Sequence, residues 1–246
     1  MDEIAAYLCV GDSMSIDTYP YMELTETNPA VAQGVGAGSL LYKNQPDLWP
    51  EFAGKDLVTR YPNIEVAHLA TDGATTYDFL DTDYLHLVAE TLRQKPVIAT
   101  LTIAGNDLLG LIGIRGNQAT KELDEELSNL CERFDKVVGI LEAAFPRAIL
   151  IFNTVYDPTD GTGKLPIMDF EDKLPWLHKM NDHIRKTADA HKGLLADVHK
   201  HFLGHGLSAP PKDRWYWEPN PIEPSAKGAS EMRRLWVEAL REEELL

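Results

Sequence analysis

The chain has 246 residues, 44% of them hydrophobic and 25% charged, which suits a folded globular protein with one full core; a single domain over residues 1–246 is expected. A formal charge of −16 repels phosphate backbones and anionic lipid, so nucleic acid and membrane surfaces are poor partners. No apolar run approaches a membrane span, Met1-Asp2-Glu3 has no basic leader flank, and the two cysteines lack framework spacing, which together give a cytoplasmic expectation.

In chain order, the first predicted element is a buried strand over residues 7–10, which stops at Gly11-Asp12-Ser13. A parallel strand that ends at a glycine delivers the next side chains to the carboxyl edge of the sheet, where open α/β sheets bind ligands. Ser13 is therefore a candidate nucleophile, although the same tripeptide also serves as a turn with a helix cap. From residue 16 to 61 the density of proline and glycine predicts a long irregular segment with short helical pieces. Within it Asn44, Trp49 and Phe52 either line a pocket or pin the loop to the body.

A second strand over residues 64–69 runs into Thr71-Asp72-Gly73-Ala74, where Gly73 can turn its N–H toward a ligand with no side chain in the way. Residues 77–94 read as one or two helices. A third, β-branched strand over 96–103 ends in Ala104-Gly105-Asn106-Asp107, followed by a Gly-rich connection. Leu123, Leu127, Leu130, Phe134, Val137 and Leu141 then mark the core stripe of a helix over 120–144. A fourth strand is expected over 148–154, and the two aspartates of Tyr156-Asp157-Pro158-Thr159-Asp160-Gly161 lack the other ligands of a calcium loop, leaving a turn. A helix through Leu174, Leu177, Met180, Ile184 and Ala188, a fifth strand over 194–198, a polar loop over 199–224 and a closing helix over 225–243 complete the chain. Strands alternating with helices in this way specify a three-layer α/β domain, with a five-stranded, mostly parallel sheet and helices on both faces.

The strand ends supply Gly-Asp-Ser at 11–13, Gly73, and Gly-Asn-Asp at 105–107, in that order. In these blocks the chain resembles the SGNH, or GDSL, hydrolases, flavodoxin-like esterases and lipases. The resemblance implies Ser13 as nucleophile, and an oxyanion hole made by the Ser13 N–H, the Gly73 N–H and the Asn106 amide. It also implies a small-molecule carboxylic ester as substrate and no cofactor.

Two departures follow from the same resemblance. Ala104 stands where the family's third block opens with Gly. In the last block, where the family has Asp-x-x-His, this chain reads Asn220-Pro221-Ile222-Glu223, so Glu223 takes the place of the general base and Asn220 that of its orienting partner. The substitution is chemically coherent: a carboxylate accepts where an imidazole N–H donates, and an Asn amide can donate to it. A Glu with an ordinary pKa of about 4.3 would give slow turnover or activity reaching into acid. The rival base is His205, which lies between glycines in a loop that also holds His199 and His201. Those three lack the carboxylate or thiol set of a zinc site, and Asp83-x-x-His86 precedes the third block and so is misplaced. Trp215-Tyr216-Trp217 either wall a pocket or pack. The chain is thus expected to be an ester hydrolase, with a catalytically silent ligand-binding protein as the alternative.

Overall fold

The predicted alternation of strands and helices is present. The computed structural model describes residues 3–113, 120–165, 168–169 and 171–246. The chain forms β1 (Ala6–Gly11), α1 (Thr18–Thr27), α2 (Ala37–Tyr42), α3 (Leu57–Arg60), β2 (Glu65–His68), α4 (Thr76–Leu80) and β3 (Val97–Thr102). It continues through α5 (Gly105–Gly113), α6 (Thr120–Ala144), β4 (Ala148–Asn153), a hairpin of β5 (Lys164–Leu165) and β6 (Met168–Asp169), α7 (Leu174–Ala190), β7 (Leu194–Ala196), α8 (Val198–Phe202) and α9 (Ala226–Glu242).

Five strands pair in parallel in the order β2-β1-β3-β4-β7. This is the flavodoxin-like order, in which winding reverses between β1 and β3 and a crevice opens at their carboxyl ends. Strand periodicity sorts the core onto the two faces. Leu8, Val10, Ala99 and Leu101 pack with the α6 stripe and with Leu177 and Met180 of α7. Tyr7, Cys9, Ile98 and Ile151 pack with Leu40 and Leu41 of α2 and with Ala229 and Trp236 of α9. Trp236 reaches through to the sheet, its indole N–H donating to Asn153 Oδ1 at 2.6 Å. Among the described residues no helix is long and apolar enough to cross a membrane.

Three segments differ from the sequence expectation. Residues 77–94 hold only α4 and two 3-10 turns, because Asp81 turns its carboxylate back to the Asp83 N–H at 3.1 Å and ends the α-helix. The Gly-rich connection begins as α5, whose Leu108 and Leu111 are buried in the core; its remainder, residues 114–119, lies outside the described residues. The loop after the fifth parallel strand opens with the short helix α8, capped by Asp197.

Candidate active site

The turn after β1 is built before it is functional. Gly11 lies so close to β3 that a Cβ there would overlap the Thr102 hydroxyl. Its neighbour Asp12 continues the ladder with a 2.9 Å hydrogen bond from its N–H to the Thr102 carbonyl. The Asp12 carboxylate then accepts the Met14 N–H at 3.0 Å, closing a tight turn with Ser13 at its apex. Ser15 holds the far side through a 2.7 Å hydroxyl contact with Thr102.

The turns after β2 and β3 are tied to this one and to each other. Thr71 N–H donates to the Gly11 carbonyl at 3.0 Å. Gly73 takes φ = 73°, the left-handed conformation that favours glycine, with open space where a Cβ would stand. Asn106 Nδ2 donates to the Ala74 carbonyl at 2.9 Å. Asp107 accepts from both the backbone N–H (2.8 Å) and the hydroxyl (2.7 Å) of Thr76. Arg133 of α6 locks that cluster, reaching Asp107 at 3.3 Å and the Thr76 hydroxyl at 3.0 Å. Asp107, Thr76 and Arg133 escape sequence reasoning because nothing local links them.

Ser13, Asn106 and Glu223 line one cleft, with an enclosed-plus-mouth volume of about 670 Å³. Most of its remaining wall is apolar: Met14, Leu108, Leu109, Val155, Leu165, Leu177 and Ile222. The wall after β4 is fixed by Asn181, whose amide makes a two-way bridge to the Val155 N–H (2.7 Å) and carbonyl (2.8 Å). Gly73 is not among the lining residues; its neighbour Ala74 is tied to the cleft through Asn106.

Glu223 is presented by a turn pinned on both sides. Its N–H donates to the Asn220 carbonyl and its own carbonyl accepts the Trp217 N–H, each at 2.9 Å, while Tyr156 OH donates to the Ile222 carbonyl at 2.7 Å. The side chain is 6% exposed. Burial pushes its pKa up to about 7; the Ser13 hydroxyl opposes that rise and the charge of Asp72 adds to it. Its Oε2 is buried with no hydrogen-bond partner. Asn220 therefore orients Glu223 through its backbone carbonyl, and the expected amide donation to the carboxylate is not formed. Asp12 is likewise raised by burial, to about 8, with Met14 N–H opposing and Glu223 adding to the rise.

The histidines are occupied elsewhere. His205 stacks on Trp215 at 3.6 Å between ring centroids and its Nδ1 meets the Asp213 carbonyl at 2.8 Å; it is not part of the cleft lining. His201 contacts Glu231 at 3.1 Å and His199 packs edge-on against His178. Trp215, Tyr216 and Trp217 are packing residues: Tyr216 meets Tyr156 edge-on at 5.0 Å, and Trp217 lies 5.5 Å from Tyr19. Asn44, Trp49 and Phe52 pin their loop around the buried Arg233, which donates to Asn44 at 2.8 Å and lies 3.5 Å from the Phe52 ring centroid.

The family of GDSL-like lipases and acylhydrolases matches residues 24–230, a stretch that contains Gly73, Asn106, Asn220 and Glu223 and begins after Ser13. No curated relative matches the chain. Among solved structures, the lipase Lip_vut3 from a goat rumen metagenome is similar with a TM-score of 0.65 and 16% identity, over 96% of this chain and 97% of that one. The acetylxylan esterase Axe2 from Geobacillus stearothermophilus gives a TM-score of 0.63 and 17% identity over 98% and 94%. Phospholipase A1 from Streptomyces albidoflavus gives 0.55 and 20% over 95% and 98%. At these identities the likeness speaks for the fold.

Proposed function

The chain belongs to the GDSL-like lipase/acylhydrolase family, and from that premise we propose that it hydrolyses carboxylic esters of small or medium size through an acyl-enzyme on Ser13. Glu223 takes the Ser13 proton as the hydroxyl oxygen attacks the ester carbonyl. The oxyanion that forms is held by the Ser13 N–H, the Gly73 N–H and the amide of Asn106. One Asn106 N–H is spent on Ala74, and the second is free to point at the oxyanion. Each such donor contributes about 2.7–4 kcal/mol to the transition state. Collapse of the tetrahedral intermediate breaks the C–O bond, and Glu223 returns its proton to the departing alcohol. Water then repeats the sequence on the acyl-serine and releases the carboxylic acid.

The observation that carries this reading is that Ser13 and Asn106 line one cleft with a buried carboxyl, Glu223, whose pKa burial brings close to neutral. A base is most effective when its pKa lies near the working pH, and burial has moved Glu223 there. A fluorophosphonate probe tests the proposal. Labelling of the wild-type protein at Ser13, lost in Ser13→Ala, is the expected result; no labelling at acidic, neutral or alkaline pH overturns it in favour of a silent binding protein.

A further inference from the structure

The acidic groups that line the cleft are Asp12, Asp157 and Glu223, and no lysine, arginine or histidine among the lining residues balances them when they ionise. Asp72, next to Gly73 in the turn after β2, adds its charge to the rise of Glu223. The cations behind the walls are committed to other acids: Arg133 to Asp107 at 3.3 Å, and Arg185 to Asp182 at 2.9 Å and Asp197 at 3.0 Å. Glu223 keeps a buried Oε2 without any partner, so nothing in the protein neutralises the charge it carries when ionised. On the β2 side of Ser13, Tyr19 donates its hydroxyl to Asp72 at 2.9 Å, and its ring stands 5.5 Å from that of Trp217. An acid beside an aromatic ring favours a cation over an anion.

Resting on the ester-hydrolase reading, we propose that this site selects by charge: it takes esters that join an apolar acyl chain to an uncharged or cationic alcohol, and rejects esters with carboxylate, sulfonate or phosphate beside the ester group. The apolar stretch through Leu108, Leu109, Val155, Leu165 and Leu177 takes the acyl chain. The alcohol lies toward Asp72 and Tyr19. Selection acts through the base as well as through binding. An anion brought beside Glu223 disfavours the ionised carboxylate, keeps it protonated at neutral pH and leaves Ser13 without its proton acceptor; a cation does the reverse. The same field expels the carboxylate product once the acyl-enzyme is hydrolysed.

The experiment compares three hexanoate esters of nearly equal size, those of neohexyl alcohol, choline and isethionate. The choline and isethionate head groups are nearly the same size and opposite in charge, and the neohexyl ester supplies the uncharged reference of the same shape. The choline ester is expected to match or exceed the neohexyl ester in kcat/KM. The isethionate ester is expected to fall about tenfold or more below the choline ester, as one unit of base pKa implies, and its pH profile should be displaced to higher pH. Turnover of the isethionate ester as fast as the choline ester, with the neohexyl ester also hydrolysed, overturns the selectivity and leaves the hydrolase reading standing. Failure of all three esters together with absent fluorophosphonate labelling overturns both.

Discussion

Ser13 and Glu223 line one cleft from opposite ends of the chain, one at the apex of the turn after β1 and the other in the turn that leads into α9. Burial raises the carboxyl to about 7, and the Ser13 hydroxyl opposes that rise; in the proposed mechanism this carboxyl accepts the serine proton. Only the ionised form can accept the proton, so kcat/KM should rise with pH through a midpoint near 7 and level off above it. The acid-shifted activity expected of an ordinary glutamate is thereby replaced by activity that fades in acid. Glu223→Gln should lower kcat by about 100-fold or more and abolish that limb of the profile, whereas His205→Ala should leave both in place. An unchanged pH–rate profile in Glu223→Gln would remove this residue from the mechanism.

The same burial that tunes Glu223 destabilises the fold above its titration. The carboxyl has a reference value of 4.5 and rises to about 7 when folded. Between those values the folded state binds a proton the unfolded state has released, so the contribution to stability falls as pH rises through the window and stays lower above it. Glu223→Gln, which carries no charge at any pH, should therefore melt higher than wild type at alkaline pH by about 1–3 kcal/mol. In acid, with the wild-type carboxyl protonated, the two proteins should melt together. Calorimetry on either side of the window decides the matter, and a pH-independent difference would contradict it.

Ala104 carries backbone strain at the end of β3. It holds φ = 86°, a conformation that L side chains rarely adopt, and its methyl is fully buried. Relief of the left-handed strain in Ala104→Gly is worth about 1–2 kcal/mol. Loss of one buried methyl returns about 0.8 kcal/mol. The balance is a more stable protein by up to about 1 kcal/mol, with Asn106 better fixed. A thermal melt in which Ala104→Gly unfolds below wild type would show that the buried methyl outweighs the strain.

How far the sequence could be read depended on the range of the interactions. β1, β3 and β4 declare themselves because buried parallel strands are continuous apolar, β-branched runs, and α6 because its stripe repeats every three or four residues. Residues 77–94 misled because their apolar spacing is helical while Asp81 and Asp83 satisfy the backbone locally. Ser13, Gly73 and Asn106 are legible as strand-end residues, since topology alone carries strand ends to one edge of the sheet, whereas Glu223 is legible only from its place before the closing helix. The raised pKa of Glu223 was not legible. Its pKa is set by burial, and burial is created by elements far away in the chain. Asn220 misled for a related reason: its side chain suggested an amide donor, but the turn uses its carbonyl. The buried Arg233, held by Asn44 and the Phe52 ring, reads in sequence as one more charge on an amphipathic helix.

The last prediction concerns a residue that touches no substrate. Asp107 joins the turn after β3 to the start of α4 through two hydrogen bonds to Thr76, and is charge-balanced by Arg133, whose side chain is only 14% exposed. Because Asn106 is its neighbour and Gly73 lies just ahead of Thr76, this cross-link sets the separation of two proposed oxyanion donors. Asp107→Asn keeps the size but withdraws the charge, leaving a mostly buried guanidinium short of its counter-ion at a cost of about 1–3 kcal/mol in stability. A donor displaced from the oxyanion weakens the transition state more than the bound ester, so kcat should fall about tenfold with KM little changed. The pH midpoint set by Glu223 should stay where it is. If stability drops while kcat is retained, Asp107 serves the fold alone and the spacing of Gly73 and Asn106 does not depend on it.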